Sequence, residues 1–171
     1  MLIINTGNAK GKTTAAIGQI IRSLGHKNRV CLIQLFKGEN FYGEQKILAK
    51  LENFDFFSYA KEHPFCIKGI TVEEVSKQCR EAVEKVKELA NSDKKYDLIV
   101  LDEFNIALRD KFIDENEFTE IIKNLAQKFD IVITGRNVPD NLIEIADLVT
   151  EMKEIKHPYR NGVKARAGIE F

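Results

Sequence analysis

A short stretch near the start of the chain, Thr6-Gly7-Asn8-Ala9-Lys10-Gly11-Lys12-Thr13-Thr14, carries the residue types that hold a polyphosphate. Glycines let successive backbone N–H groups of a loop converge on one anion, a lysine adds a full positive charge, and a threonine hydroxyl can hold a divalent cation. Lys12 and Thr13 are the residues for the last two roles. The general phosphate-loop pattern G-x-x-x-x-G-K-[ST] asks for glycine where this chain has Thr6, and the glycine follows one residue later as Gly7. The competing reading is an ordinary glycine turn into a helix with a surface lysine. Context favours the phosphate loop: an apolar run, Leu2-Ile3-Ile4, precedes it, and Ile17, Ile20, Ile21 and Leu24 recur on one face of a helix after it.

A second candidate is Asp102-Glu103, which ends the apolar run Tyr96-Asp-Leu-Ile-Val-Leu101. A buried strand delivers such carboxylates to its carboxyl end, where they can reach a metal held on phosphates. A plain solvated strand end is the alternative, and the upstream loop weighs against it. Thr13, Asp102 and Glu103 are therefore the expected metal set, with Glu103 either completing that set or polarising water. Lys10, Arg22 and Arg136 are candidates to neutralise a polyphosphate, arginine through its planar fork of donors and lysine as a point charge. Arg136 has the stronger case because it follows a strand end; Arg22 depends on which face of its helix it occupies.

Phe54, Phe56, Phe57, Tyr59 and Phe65 make one short span unusually aromatic. Alternation assigns Phe54 and Phe56 to core packing. Phe65 follows Pro64 in an irregular stretch and is a candidate wall for a large flat ligand. His26, His63 and His157 are scattered, and Cys31, Cys66 and Cys79 lack paired metal-ligand spacing, so no His or Cys metal site is expected.

These residues need elements to position them. Strands are expected at 29–36, 54–59, 96–101, 131–134 and 148–152 in addition to the first. Helices are expected after the loop, at 43–51, from Thr71 (with Glu74 as a capping box), from Asp114, and from Pro139 to Ala146. On the Thr71 helix, Val72, Val75, Cys79, Ala82, Val83, Val86 and Leu89 form the apolar face. The last twenty or so residues read as a basic loop. Strands alternating with helices imply an α/β fold, a mostly parallel six-stranded sheet covered on both faces, within one domain spanning 1–171. With 26 basic and 26 acidic residues the net charge is zero, which gives no reason to expect nucleic acid or a membrane surface as partner. No apolar run is long enough to span a bilayer, and a cytoplasmic location is expected.

The set of motifs is sharper than any one of them. Residues 6–14 closely resemble the T-G-N-G-K-G-K-T-T signature of the ATP:corrinoid adenosyltransferases of the CobA/BtuR type. So do Arg22-x-x-Gly25-His26, Asp102-Glu103, Ile133-Thr134-Gly135-Arg136, Ala146 to Met152, Lys156-His157-Pro158, Gly162 to Ala165 and Gly168 to Phe171, in the family's order. The resemblance implies a RecA-like P-loop fold and transfer of the 5′-deoxyadenosyl group of ATP to the cobalt of a reduced corrinoid, with release of triphosphate. It also implies Mg²⁺ or Mn²⁺, a flavoprotein reductant and a homodimer. Thr6 to Thr14 and Arg22 would hold ATP, while Lys12, Phe65 and Arg136 would act directly on the reaction. Three departures accompany it. Ala9 replaces the family's middle loop glycine, Pro64-Phe65-Cys66-Ile67 stands where better-known members have G-F-T-W, and an N-terminal helical extension found in some members is expected to be absent. A small kinase and a non-enzymatic ATP-binding regulator are the rival readings; each would use the loop without the corrinoid chemistry.

Overall fold

In a computed structural model of the protein, residues 1–38, 41–64, 69–91 and 95–171 are described. Phe65, Cys66 and Ile67, and with them the expected corrinoid wall, lie outside the described residues. Six strands occur among the described residues: β1 (Leu2–Thr6), β2 (Val30–Leu35), β3 (Phe54–Tyr59), β4 (Leu98–Asp102), β5 (Asp130–Thr134) and β6 (Leu148–Glu151). They form one sheet in the order β3-β2-β4-β5-β1-β6, and every pair is parallel. Parallel neighbours need crossover connections, and here these contain α1 (Lys12–Gly25), α2 (Gly43–Leu48), α3 (Val72–Asn91), α4 (Phe104–Arg109), α5 (Glu115–Leu125) and α6 (Asp140–Ile145).

The near-continuous apolar runs of the central strands follow from burial on both faces. Alternate residues divide cleanly between two cores. Cys31, Ile33, Leu35, Ile99 and Leu101 point to the layer built by α3 to α6. Val30, Leu32, Leu98 and Val100 point to the opposite layer, with Ala16 and Ile20 of α1 and Leu48 of α2. Helices on both faces of the sheet give a three-layer α/β architecture. Among the described residues no helix is long and apolar enough to cross a membrane.

The expected elements are all present, with shorter boundaries for β2, α2 and α6. Thr71 and Glu74 form the expected reciprocal cap of α3, with the Thr71 N–H donating to Glu74 Oε2 at 3.0 Å and the Glu74 N–H donating to Thr71 Oγ1 at 3.2 Å. Its apolar stripe buries Val75, Cys79, Ala82, Val83, Val86 and Leu89. Val72, expected on that face, is exposed, because the stripe begins to bury only one turn later. Two elements were not anticipated. One is α4, six residues that follow Glu103 directly; the other is a 3₁₀ turn at Pro158–Asn161 inside the tail.

Because α4 leads straight out of Asp102-Glu103, its packing fixes where those carboxylates lie. Phe104 is fully buried and its ring stacks on Phe118 of α5, with centroids 5.5 Å apart and planes 21° apart. Phe118→Ala should therefore cost about 3–5 kcal/mol of stability through the cavity it leaves. Urea unfolding at equilibrium measures this; a loss below about 1 kcal/mol would mean that α5 does not brace α4 in this way.

Candidate active site

Sheet order brings the carboxyl ends of β1, β2, β4 and β5 to one edge, and there the loop of residues 7–11 turns into α1. Gly7 has a φ of 101°, and a Cβ there would stand 2.5 Å from the Met152 carbonyl oxygen, so the position requires glycine both for its backbone angle and for space. Met152 follows β6, and the two segments are laced together. The Met152 N–H donates to the Thr6 carbonyl at 2.8 Å, and the Ala9 N–H donates to the Met152 carbonyl at 3.0 Å. Gly11 caps α1 with a φ of 121°. Ala9 adopts no positive φ, so its backbone tolerates a Cβ.

Lys12 is buried, and its Nζ donates to the carbonyls of Gly7 at 2.9 Å and Ala9 at 2.7 Å. Burial lowers its pKa, with Arg136 and Lys37 adding to the effect and Glu103 and Asp102 opposing it. The ammonium thus already lies within the loop it would share with an anion. Asn8, Ala9, Lys10, Gly11, Lys12, Thr13 and Thr14 line a cavity of about 1310 Å³ together with Glu103 and Arg136. Thr6 and Gly7 do not line it; their backbone forms the support beneath it.

Asp102 is fully buried and accepts four hydrogen bonds. Thr134 Oγ1 donates to Oδ1 at 2.6 Å and Thr13 Oγ1 to the same oxygen at 2.9 Å. Gln34 Nε2 and Lys37 Nζ each donate to Oδ2 at 2.9 Å. Burial alone would raise its pKa, but Lys37 and these donors outweigh burial and hold it below the ordinary aspartate value. Lys37 shows the mirror image, with burial opposing its charge and Asp102 and Glu103 raising its pKa on balance. Glu103 differs from its neighbour. Its backbone is left-handed (φ 65°), its N–H donates to Thr134 Oγ1 at 2.9 Å, and its buried Oε2 has no hydrogen-bond partner. Burial first, and then the Asp102 charge, raise its pKa against the pull of Lys37, Lys12 and Arg136.

Thr13, Asp102 and Glu103 offer only hard oxygen donors, and Glu103 Oε2 is an orphaned acceptor at the cavity wall. That set suits Mg²⁺ or Mn²⁺, which is bound by one or two carboxylates plus phosphate and water. Among the described residues no group of three or more His, Cys, Asp or Glu side chains could hold a metal ion.

Arg22 departs from expectation. It lies in the last turn of α1, exposed, with its guanidinium 3.4 Å from Gln19 Oε1. Ten residues of helix place it about 15 Å along the axis from Lys12, and it does not line the cavity. Sequence reasoning also missed residues. Lys37 was given no role, although a lysine two residues past the end of β2, at the ligand edge, is a readable signal. The tail was read as a basic loop, yet His157, Tyr159, Arg160 and Gly168 to Phe171 line the cavity opposite the phosphate loop. Phe171 stacks on Phe41 at 5.0 Å, and Glu154 pairs with Arg160. Leading toward Phe65, His63 is held by Asp110 at 2.8 Å and by the Phe36 ring at 5.0 Å.

An open parallel sheet with a phosphate loop after β1 and buried carboxylates ending β4 defines a P-loop protein of the RecA-like kind. The flagellar accessory protein FlaH from Methanocaldococcus jannaschii is similar in fold, with a TM-score of 0.55 and 11% identity over 88% of this chain and 69% of that one. The chain belongs to the family described as ATP:corrinoid adenosyltransferase BtuR/CobO/CobP, whose profile matches residues 1–171. It is 38% identical to a corrinoid adenosyltransferase of Sinorhizobium sp, over 100% of this chain and 80% of that protein. Corrinoid adenosyltransferases of Pseudomonas aeruginosa and Escherichia coli K12 are 33% and 30% identical over 100% of this chain and 83% and 85% of theirs. Its activity is ATP:corrinoid adenosyl transfer, with ATP and a corrinoid as substrates.

The raised pKa of Glu103 makes a stability prediction with a definite sign. Between the unfolded glutamate pKa of about 4.3 and the higher folded one, the folded state binds the extra proton. Stability therefore falls as pH rises through that window, and the deficit persists above it. Glu103→Gln should raise Tm at pH 8 by about 2–4 °C for each kcal/mol of deficit removed, and the gain should vanish near pH 4. A thermal-melt series across pH measures this; a variant less stable than the parent at pH 8 would contradict it.

Proposed function

We propose that residues 8–14 hold the triphosphate of ATP as one leaving group, with Thr13, Asp102 and Glu103 holding Mg²⁺ or Mn²⁺ and Arg136 adding charge from the β5 end. The observation that carries this reading is the shared cavity: Asn8 to Thr14, Glu103 and Arg136 all face one space, opposite a tail wall. In the reaction the electron pair of reduced cobalt forms the Co–C5′ bond, the C5′–O5′ bond breaks, and triphosphate departs with that bond's electrons. No phosphoryl group moves, so the protein need not supply a nucleophile.

Its tasks are positioning and charge neutralisation. The N–H groups of the loop and of the first turn of α1 point at the leaving group. Lys12 exchanges its contacts with the Gly7 and Ala9 carbonyls for phosphate oxygens, so its charge is delivered without a new desolvation step. A bound divalent cation would supply Lewis-acid stabilisation of the developing triphosphate charge. On the acceptor side, Phe65 is the proposed apolar wall for the corrinoid. A homodimer, a flavoprotein reductant and a cytoplasmic location complete the reading, on the strength of the family resemblance.

The deciding measurement is the phosphate product from ATP and a chemically reduced corrinoid under anaerobic conditions. Triphosphate is expected; ADP with a phosphorylated acceptor would overturn the reading in favour of a kinase. Lys12→Ala should slow turnover by about 10²-fold or more. Phe65→Ala should leave ATP affinity near that of the parent while impairing turnover, and unchanged turnover would remove Phe65 from the site.

A further inference from the structure

Lys37 carries a buried cation that touches two proposed metal ligands at once. Its Nζ donates to Thr13 Oγ1 at 2.7 Å and to Asp102 Oδ2 at 2.9 Å. Thr13 Oγ1 has a single hydrogen, and it donates this to Asp102 Oδ1 at 2.9 Å. Lys37 therefore occupies one of the two Thr13 lone pairs and one of the Asp102 oxygens, atoms that the proposed divalent cation would also use. Coordination would bring a divalent ion within about 2.1 Å of the Thr13 oxygen, beside an ammonium bonded to the same atoms. Two like charges so close would repel strongly in a poorly solvated wall. Either cation can neutralise Asp102, but not both from the same position.

Geometry also says what can move. The Lys37 carbonyl is tethered by Ser58 Oγ at 3.0 Å, so displacement belongs to the four-carbon side chain. Lys37 lines the phosphate cavity, and its Nζ stands 5.1 Å from the centre of the Tyr42 ring, which lines the same cavity. A swing out of the Thr13–Asp102 bridge carries the ammonium toward the space proposed for triphosphate.

We infer that Lys37 is a displaceable resident cation: it holds Thr13 and Asp102 in register before the nucleotide enters, then yields to the divalent ion and places its charge on the triphosphate. The inference rests on the triphosphate and cation sites proposed above. It makes Lys37 an antagonist of the metal alone and a partner of the metal–triphosphate complex. A lysine serving only as a structural ion pair would not produce these opposite signs.

The test uses the full chain and reads binding, not turnover. Mn²⁺ affinity is measured by electron paramagnetic resonance without nucleotide, and inorganic tripolyphosphate affinity is measured by calorimetry with Mg²⁺ present. In Lys37→Met, Mn²⁺ should bind about tenfold tighter or better, while Mg²⁺–tripolyphosphate should bind about tenfold weaker. Lys37→Gln removes the charge but keeps a donor and should shift both affinities in the same directions, which guards against a folding defect peculiar to methionine. Mn²⁺ affinity that is unchanged or weaker in both variants, with binding abolished in Asp102→Asn, would overturn the role of Lys37 while leaving the cation site standing. Mn²⁺ affinity unaffected by Asp102→Asn would overturn the cation site itself, and the inference with it.

Discussion

The Asp102 carboxylate is the interaction on which the ligand edge depends. Its two oxygens collect donors from β5 through Thr134, from α1 through Thr13, and from β2 and the residues just after it through Gln34 and Lys37. Gln34 is held in turn by Gln45 of α2, whose Nε2 donates to its Oε1 at 2.7 Å. A fully buried charge costs several kcal/mol unless it is this thoroughly paired. Once paired, it registers a helix and strands against one another at the edge where the phosphate loop opens. Neighbouring strands reinforce the arrangement, since the ladder itself sets Gln34 opposite Asp102.

A second constraint comes from the opposite side of β1. The Met152 carbonyl lies close against Gly7 and accepts from the Ala9 N–H, so the loop is seated against the end of β6. The tail that continues from β6 then passes over the cavity and returns to stack Phe171 on Phe41. The grip on an anion is therefore built from both ends of the sequence: residues 7–14 give the donors, and the segment after Glu151 both shapes the loop and walls the cavity.

This explains which parts were legible in the sequence. Apolar runs that alternate between two cores read as buried strands because burial on both faces leaves few other compositions possible. The loop was legible as a candidate because holding a polyphosphate demands particular residues at consecutive positions. Lys37 and the tail were opaque for the opposite reason. Their roles depend on which strands are neighbours, and a strand order of β3-β2-β4-β5-β1-β6 is not encoded in local periodicity. For Arg22, residue type alone did not give position: it lies two to three helical turns from Lys12 and does not line the cavity. The helix α4 was missed because six residues carry too little periodicity, although the left-handed Glu103 before it is what aims that carboxylate at the cavity.

Charges around the cavity are arranged as exchangeable pairs. Lys12 rests on loop carbonyls, Lys37 rests on Asp102, and Glu103 keeps one oxygen without a partner beside them. In the proposed reading an incoming polyanion with its cation replaces each of these partners, and binding proceeds by substitution at positions already desolvated. The Glu103 oxygen without a partner is a cost carried by the folded protein. Because the triphosphate gains charge as the C5′–O5′ bond breaks, donors fixed in advance stabilise the departing state more than the bound nucleotide. A site with relaxed, solvent-paired charges would have to reorganise at that moment. The network around Asp102 makes this unnecessary by holding Thr13 and the β4 end rigid from beneath.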